Sequence, residues 1–202
     1  SVTDPKIWNK VLSDIDVIYH LAAQTSVYEA ERNPLDDFRE NVMPMLLMLE
    51  TCRQKKIKPV IVFSGTVTQV GLTNRESPPI DESQQDEPIS IYDIHKKAAE
   101  TYLKHYDNEG HVYGITLRLP NIYGPGPVSS SSDRGVINML LRKALSGESI
   151  AVFGSGKFLR DYLYIDDLVS AFLLSPVSKD GLVGGYFILG TGVGYTVEQS
   201  VH

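Results

Sequence analysis

Asp16-Val-Ile-Tyr-His-Leu-Ala-Ala23 is a nearly continuous apolar run with a polar start, and Pro59-Val-Ile-Val-Phe63 repeats the pattern further along the chain. Runs of this kind, without alternation, read as strands buried on both faces. Between them, Pro34 to Lys55 has helical periodicity, with Met43, Leu46, Leu47 and Leu49 recurring on one side and lysines gathered at the C-terminal end. A second helix is predicted from Ser90 to Tyr106, carrying Ala98, Ala99 and Leu103 and ending before Gly110. Val112 to Leu119 then supplies a third strand. Strands alternating with helices of this length imply βαβ units, a parallel sheet and an α/β doubly wound fold.

Beyond Pro120 the texture changes. Pro125, Gly126, Pro127 and Ser129-Ser-Ser-Ser132 predict a loop, followed by a helix from about Gly135 to Leu145. Short strands are expected at Ser149–Phe153 and Leu159–Ile165. Asp166-Asp167 is expected to cap a helix that Pro176 ends, and Tyr186 to Leu189 to form a last strand. Thr196-Val-Glu-Gln199 has the form of a capping box, yet few residues follow it. Thr3-Asp4-Pro5 begins a helix that leads directly into a strand expected in mid-sheet. Both ends therefore read as cut.

The 202 residues are 42% hydrophobic and 22% charged, the balance of an ordinary globular domain. A formal charge of −6 argues against a general nucleic-acid binder. No apolar run is long enough to span a bilayer, so no membrane partner is expected. The single cysteine, Cys52, fits a reducing compartment, and a cytoplasmic location is the expectation. No cluster of residues has metal-ligand spacing.

The chemistry centres on Tyr92-Asp-Ile-His-Lys96, where Tyr92 and Lys96 stand four apart and share one helix face. A tyrosine hydroxyl ordinarily titrates near 10 and is a poor base at neutral pH. A nearby ammonium favours the phenolate and brings it toward the working range. Such a pair arises by chance in many helices, but here it follows a buried strand and a hydroxyl-rich turn. Thr66 stands at the carboxyl end of that strand, where ligands bind in open α/β sheets.

Several stretches, in order, resemble one family. They are His20-Leu-Ala-Ala23, Asn41, Ser64-Gly-Thr66, and Pro88-Ile-Ser-Ile-Tyr92-Asp-Ile-His-Lys96 with Glu100. Arg118-Leu-Pro-Asn121-Ile-Tyr-Gly-Pro125 and Phe153-Gly-Ser-Gly-Lys-Phe-Leu-Arg160-Asp-Tyr-Leu-Tyr-Ile-Asp-Asp167 complete the series. The chain resembles the extended short-chain dehydrogenase/reductases, the NAD-dependent epimerase/dehydratase group that works on nucleotide sugars.

The resemblance implies a partial Rossmann-like sheet, its first βαβ half missing, with a small C-terminal substrate-binding part. Residues 1–121 would be the remaining NAD-binding domain, with 161–176 packing back on it. Residues 122–160 and 177–202 would form the substrate part. It implies that Tyr92 is the acid/base, Lys96 its tuner and a ligand of the nicotinamide ribose, and Thr66 the hydroxyl completing the proton path. Ala22, Ala23, Asn41, Ser64 and Pro120, with Tyr92 and Lys96, would line the NAD cofactor. Asn121 would contact the nucleotide-sugar substrate, and Arg160 would clamp its pyrophosphate, where a planar bidentate donor suits the anion. A homodimer is implied, through the helices at 34–55 and 90–109.

Alternatives remain on local sequence. Asn41 and Asn121 also suit caps or turns, and Arg160 could pair with Asp161, Asp166 or Asp167. His20 and His95 read as structural. Gly154-Ser-Gly156-Lys157 mimics a phosphate loop but lacks its first glycine and its closing Ser/Thr. Gly190-Thr-Gly-Val-Gly194 reads as a turn. The Gly-x-x-Gly-x-x-Gly motif is absent, Val70 replaces a common tyrosine, and Thr68 is a second candidate for the catalytic hydroxyl. A 4,6-dehydratase would need an Asp-Glu pair after Thr66, where Val67 and Thr68 stand. The resemblance therefore implies a sugar epimerase, with a one-way ketosugar reductase or a catalytically silent binding or oligomerisation module as rivals.

Overall fold

Strand β1 (Val17–His20), β2 (Val60–Thr66), β3 (Tyr113–Leu119) and β6 (Tyr186–Ile188) form one sheet in the order β1-β2-β3-β6, parallel throughout. The computed structural model describes residues 1–71, 79–125, 136–150, 159–177 and 183–201. The central strand explains its own composition. Ile61 and Phe63 face one layer of helices, and Val60 and Val62 face the other, so residues 60–63 are apolar on both faces.

On one side pack α1 (Pro5–Val11), α4 (Met43–Lys55) and α5 (Ile91–Asn108), through Trp8, Met45, Met48, Leu49, Cys52, Ala99 and Leu103. On the other, α7 (Ile165–Leu174) contributes Leu168 and Phe172 to a cluster with Val60, Val62, Ile115 and Leu117. Each large aliphatic or aromatic side chain removed from water in these layers contributes about 1.5–3 kcal/mol.

The helix expected over 34–55 is two helices, α3 (Pro34–Asn41) and α4, offset at Val42. Pro44 causes no break, because a proline in a helix's first turn gives up an N–H that has no partner there. A further helix, α2 (Val27–Arg32), was not expected. Its signal was legible in Ser26-x-x-Glu29, since the Ser26 hydroxyl accepts the Glu29 amide at 3.3 Å. Asp166 and Asp167 do not cap α7 as expected. The cap is Tyr164, and the two carboxylates lie in the first turn, where they favour the positive end of the helix dipole.

A second, small sheet runs β4-β5-β7. In it β4 (Asn121–Tyr123) and β5 (Leu159–Tyr164) are parallel, and β5 and β7 (Gly194–Thr196) antiparallel. The turn expected at 190–194 thus ends by opening a strand. Behind it the Thr196–Gln199 capping box is formed reciprocally, at 2.9 and 3.0 Å, and opens α8 (Val197–Val201). One assignment needs correction. The strand at 186–188, expected with the substrate part, lies beside β3 in the main sheet. Phe187 and Leu189 pack into the α7 cluster, which the smaller sheet could not bury. The Ser129–Ser132 and Gly154–Lys157 readings, and most of the 149–153 strand, lie outside the described residues.

Candidate active site

Because the main strands are parallel, their carboxyl ends gather on one edge. His20 lies beside Phe63, and Thr66 beside Leu119. Ala22 and Ala23, the turn after Thr66, and Pro120 therefore all leave the sheet on that edge, at the place where open α/β sheets bind ligands.

The amino end of α5 meets the turn there. Ser90 caps the helix, accepting the Asp93 amide at 3.1 Å and donating its hydroxyl to Asp93 Oδ2 at 2.6 Å. Asp93 is buried, and its other oxygen accepts the Thr68 hydroxyl at 2.5 Å. Thr68 has a single hydroxyl proton and spends it on this carboxylate. In the 2.8 Å contact between Thr66 and Thr68, the donor is therefore Thr66. Thr66 keeps lone pairs to accept with, one of them already facing the Thr68 amide at 3.3 Å.

Tyr92 precedes Asp93 in the same first turn and is half-buried. One turn further, Lys96 is 3% exposed. Its ammonium donates to the Ser64 carbonyl at 2.6 Å and lies 4.2 Å from the centre of the Phe63 ring. Burial lowers the Lys96 ammonium from its ordinary range to about 7, against the opposing charges of Asp37 and Glu100.

Asp37 anchors the neighbouring helix. One of its oxygens accepts from Gln24 Nε2 at 2.7 Å and Asn41 Nδ2 at 2.8 Å, and the other meets His95 Nδ1 at 2.6 Å. Asn41 also donates to the Gln24 carbonyl at 3.0 Å, so both of its amide hydrogens are engaged. Its carbonyl oxygen is buried without a partner among the described residues. His20 is buried, stacked on Phe63 at 5.7 Å. Burial and the Lys96 charge hold it near 4, which keeps the imidazole neutral.

The second sheet holds the other pair. Asn121 stands opposite Tyr162. Arg160 is exposed and donates to the Leu159 carbonyl at 2.9 Å. Among the described residues it forms no ion pair with Asp161, Asp166 or Asp167. The Asp161 carboxylate is instead filled by Thr191 N and Oγ1 and by Gly192 N, at 2.8–3.0 Å. Neither Asn121 nor Arg160 bonds to the Tyr92–Lys96 cluster among the described residues.

Sequence reasoning missed Asp93, Asp37, Gln69 and Asp86. Only Asp93 had a local signal, the Ser90-x-x-Asp93 box. Gln69 and Asp86 acquire their roles from partners far away in the chain, and Asp37 bonds Asn41 one turn on but also Gln24 and His95 at a distance.

The model of the family described as NAD dependent epimerase/dehydratase matches residues 1–187. The UDP-glucose 4-epimerase of Mycolicibacterium smegmatis is 32% identical over 181 residues, covering 88% of this chain and 55% of the relative. The dTDP-D-glucose 4,6-dehydratase of Dictyostelium discoideum is 31% identical over 187 residues, covering 88% of this chain and 41% of the relative. The structure of UDP-glucose 4-epimerase from Thermotoga maritima with UDP-glucose matches with a TM-score of 0.89 at 33% identity. That match covers 98% of this chain and 63% of the other. The chain thus spans little more than half the length of the curated epimerase it matches.

Proposed function

Because the chain belongs to the NAD dependent epimerase/dehydratase family, we propose that it carries the proton-handling part of a nucleotide-sugar 4-epimerase. One observation carries the proposal. A buried ammonium, Lys96, lies one helical turn from Tyr92, while the hydroxyl turn of Thr66 and Thr68 is bonded to the residue beside that tyrosine.

The family's cofactor is NAD, and these residues fit its nicotinamide ribose. Lys96 has donors beyond the one given to Ser64, Asn41 offers a buried carbonyl oxygen, and Ala22 and Ala23 allow close approach. NAD, when bound, supplies the hydride acceptor and then the hydride donor.

The chain's own groups handle the proton. Tyr92 Oη takes it from the sugar hydroxyl as the carbon–oxygen bond becomes a carbonyl, and returns it when the ring is reduced from its other face. A positive charge one turn away favours phenolate over phenol, which is the part played by Lys96. Thr66, as an acceptor, holds the sugar hydroxyl's one proton in a hydrogen bond until Tyr92 takes it. Asn121 and Arg160 hold the substrate, Arg160 through its planar fork on the pyrophosphate.

Val67 and Thr68 favour epimerisation over dehydration. Eliminating water across two neighbouring sugar carbons requires an acid and a base, and neither residue is one at neutral pH. Incubating the intact protein with NAD and nucleotide-linked glucose should give the 4-epimer. A product lighter by one water would overturn the reading.

Exposed apolar residues on three helices support pairing of two copies through this face. Tyr28 and Leu35 are each 73% exposed, and Phe38 and Ile94 are over two-fifths exposed. Sedimentation of the intact protein at twice its chain mass is the expected result.

A further inference from the structure

The mechanism above leaves one buried charged cluster unused. Arg118, on β3, is fully buried and grips two carboxylates at once. It meets Glu100 through Nε at 2.9 Å and Nη2 at 2.6 Å, and Asp86 through Nη1 at 2.7 Å and Nη2 at 2.8 Å. The ring of Tyr186 lies 3.5 Å from the guanidinium carbon, and Lys97 bonds to both carboxylates. The remaining Glu100 contact reaches across to the hydroxyl turn. Gln69 Nε2, on a residue that is fully buried, donates to Glu100 Oε2 at 3.1 Å.

We propose that Glu100 is a positioning residue, through which Arg118 locks the turn carrying Thr66 and Thr68 onto the helix carrying Tyr92 and Lys96. The inference rests on the epimerase reading for its catalytic consequence. Its geometry rests on four elements joined through the Glu100–Arg118 pair. Gln69 comes from the turn, Glu100 from α5, Arg118 from β3, and Asp86 from the segment that leads to the Ser90 cap.

Gly71 reinforces the closure. It has a φ of +87° and approaches the Glu87 carbonyl so closely that a Cβ would stand 2.5 Å from it. The turn and the segment held by Asp86 therefore fit together only in this register. A buried ion pair is weak support for stability, since well-packed apolar residues often do as well. What it does enforce is relative placement. A hydroxyl misplaced by about 1 Å costs on the order of 10²-fold in rate.

Gln69→Leu cuts the tether and leaves the Arg118 pairs intact. Backbone amide exchange at 66–71 should become about tenfold faster, while exchange across 99–103 stays unchanged. In turnover of nucleotide-linked glucose, kcat should fall roughly 10- to 100-fold with KM held within about threefold. Glu100→Gln should give a similar loss, and combining the two should add little.

Unchanged exchange at 66–71 would overturn the proposal, as would faster exchange with an unchanged kcat. An unmodified protein without turnover would sink the epimerase reading alone. The exchange arm would then still decide whether Glu100 holds the turn.

Discussion

Lys96 is held in the fold at a cost that its chemistry explains. An ammonium removed from water loses most of its hydration, and one carbonyl with one aromatic face restores only part of it. With its pKa drawn down to about 7, the folded chain sheds this proton well before the unfolded chain does. Below pH 7 both states hold the proton and the burial penalty is full. Between pH 7 and the ordinary lysine value near 10.4, the unfolded state binds more protons, so stability climbs with pH across that window. Lys96→Met removes the charge and keeps the apolar stem. It should raise the melting temperature by several degrees (roughly 2–4 °C per kcal/mol gained in a domain of this size). It should also flatten the rise in stability above pH 7 while lowering kcat by at least about 10²-fold. Thermal melts across pH, beside turnover, check both halves. A variant that melts lower and keeps its rate would make Lys96 an ordinary structural residue.

At the scale of elements, the proposed function divides the work, with proton handling at the hydroxyl turn and substrate grip on the second sheet. Thr68 is committed to Asp93, so Thr66→Val should lower kcat with amide exchange in the turn unchanged, while Thr68→Val should lower it by loosening the turn. Equal losses of kcat, with equal melting temperatures, would remove the distinction. Arg160→Ala should raise KM strongly, and Arg160→Lys should recover only part of the affinity, because an ammonium lacks the planar fork. An unchanged KM in both variants would exclude Arg160 from the substrate.

Much of this was legible in the sequence. The apolar run at 59–63 gave β2 because burial on two faces forbids alternation, and Tyr92 and Lys96 share a face by spacing alone. The Thr196–Gln199 box was likewise readable from four residues. The Thr68–Asp93 bond joins residues 25 apart, and the Arg118–Asp86 pair residues 32 apart. Such partners are fixed by the register of β2 on β3 and by where α5 lands, which no local pattern encodes. The split at Val42 was hidden for another reason. Its residues remain helical in composition, and α3 and α4 part only at Val42, whose φ of −104° departs from the helical value.

For the molecule as a whole, the two sheets are joined through Pro120 between β3 and β4, and the proposed function gives the first the proton and the second the substrate. The chain carries no Gly-x-x-Gly-x-x-Gly turn to cradle a pyrophosphate on backbone amides. These 202 residues alone should therefore bind NAD only weakly. Calorimetric titration with micromolar affinity would show that another turn performs that task. The central claim is that Tyr92 moves a proton while the hydrogen on the sugar carbon leaves and returns as hydride. The direct measurement is conversion of nucleotide-linked glucose by the intact protein in D2O, with NMR reading the C4 position of the epimer. An epimer without deuterium at C4 is expected, formed about 10²–10⁴-fold more slowly by Tyr92→Phe. Deuterium at C4, or a Tyr92→Phe variant as fast as the unmodified protein, would contradict it.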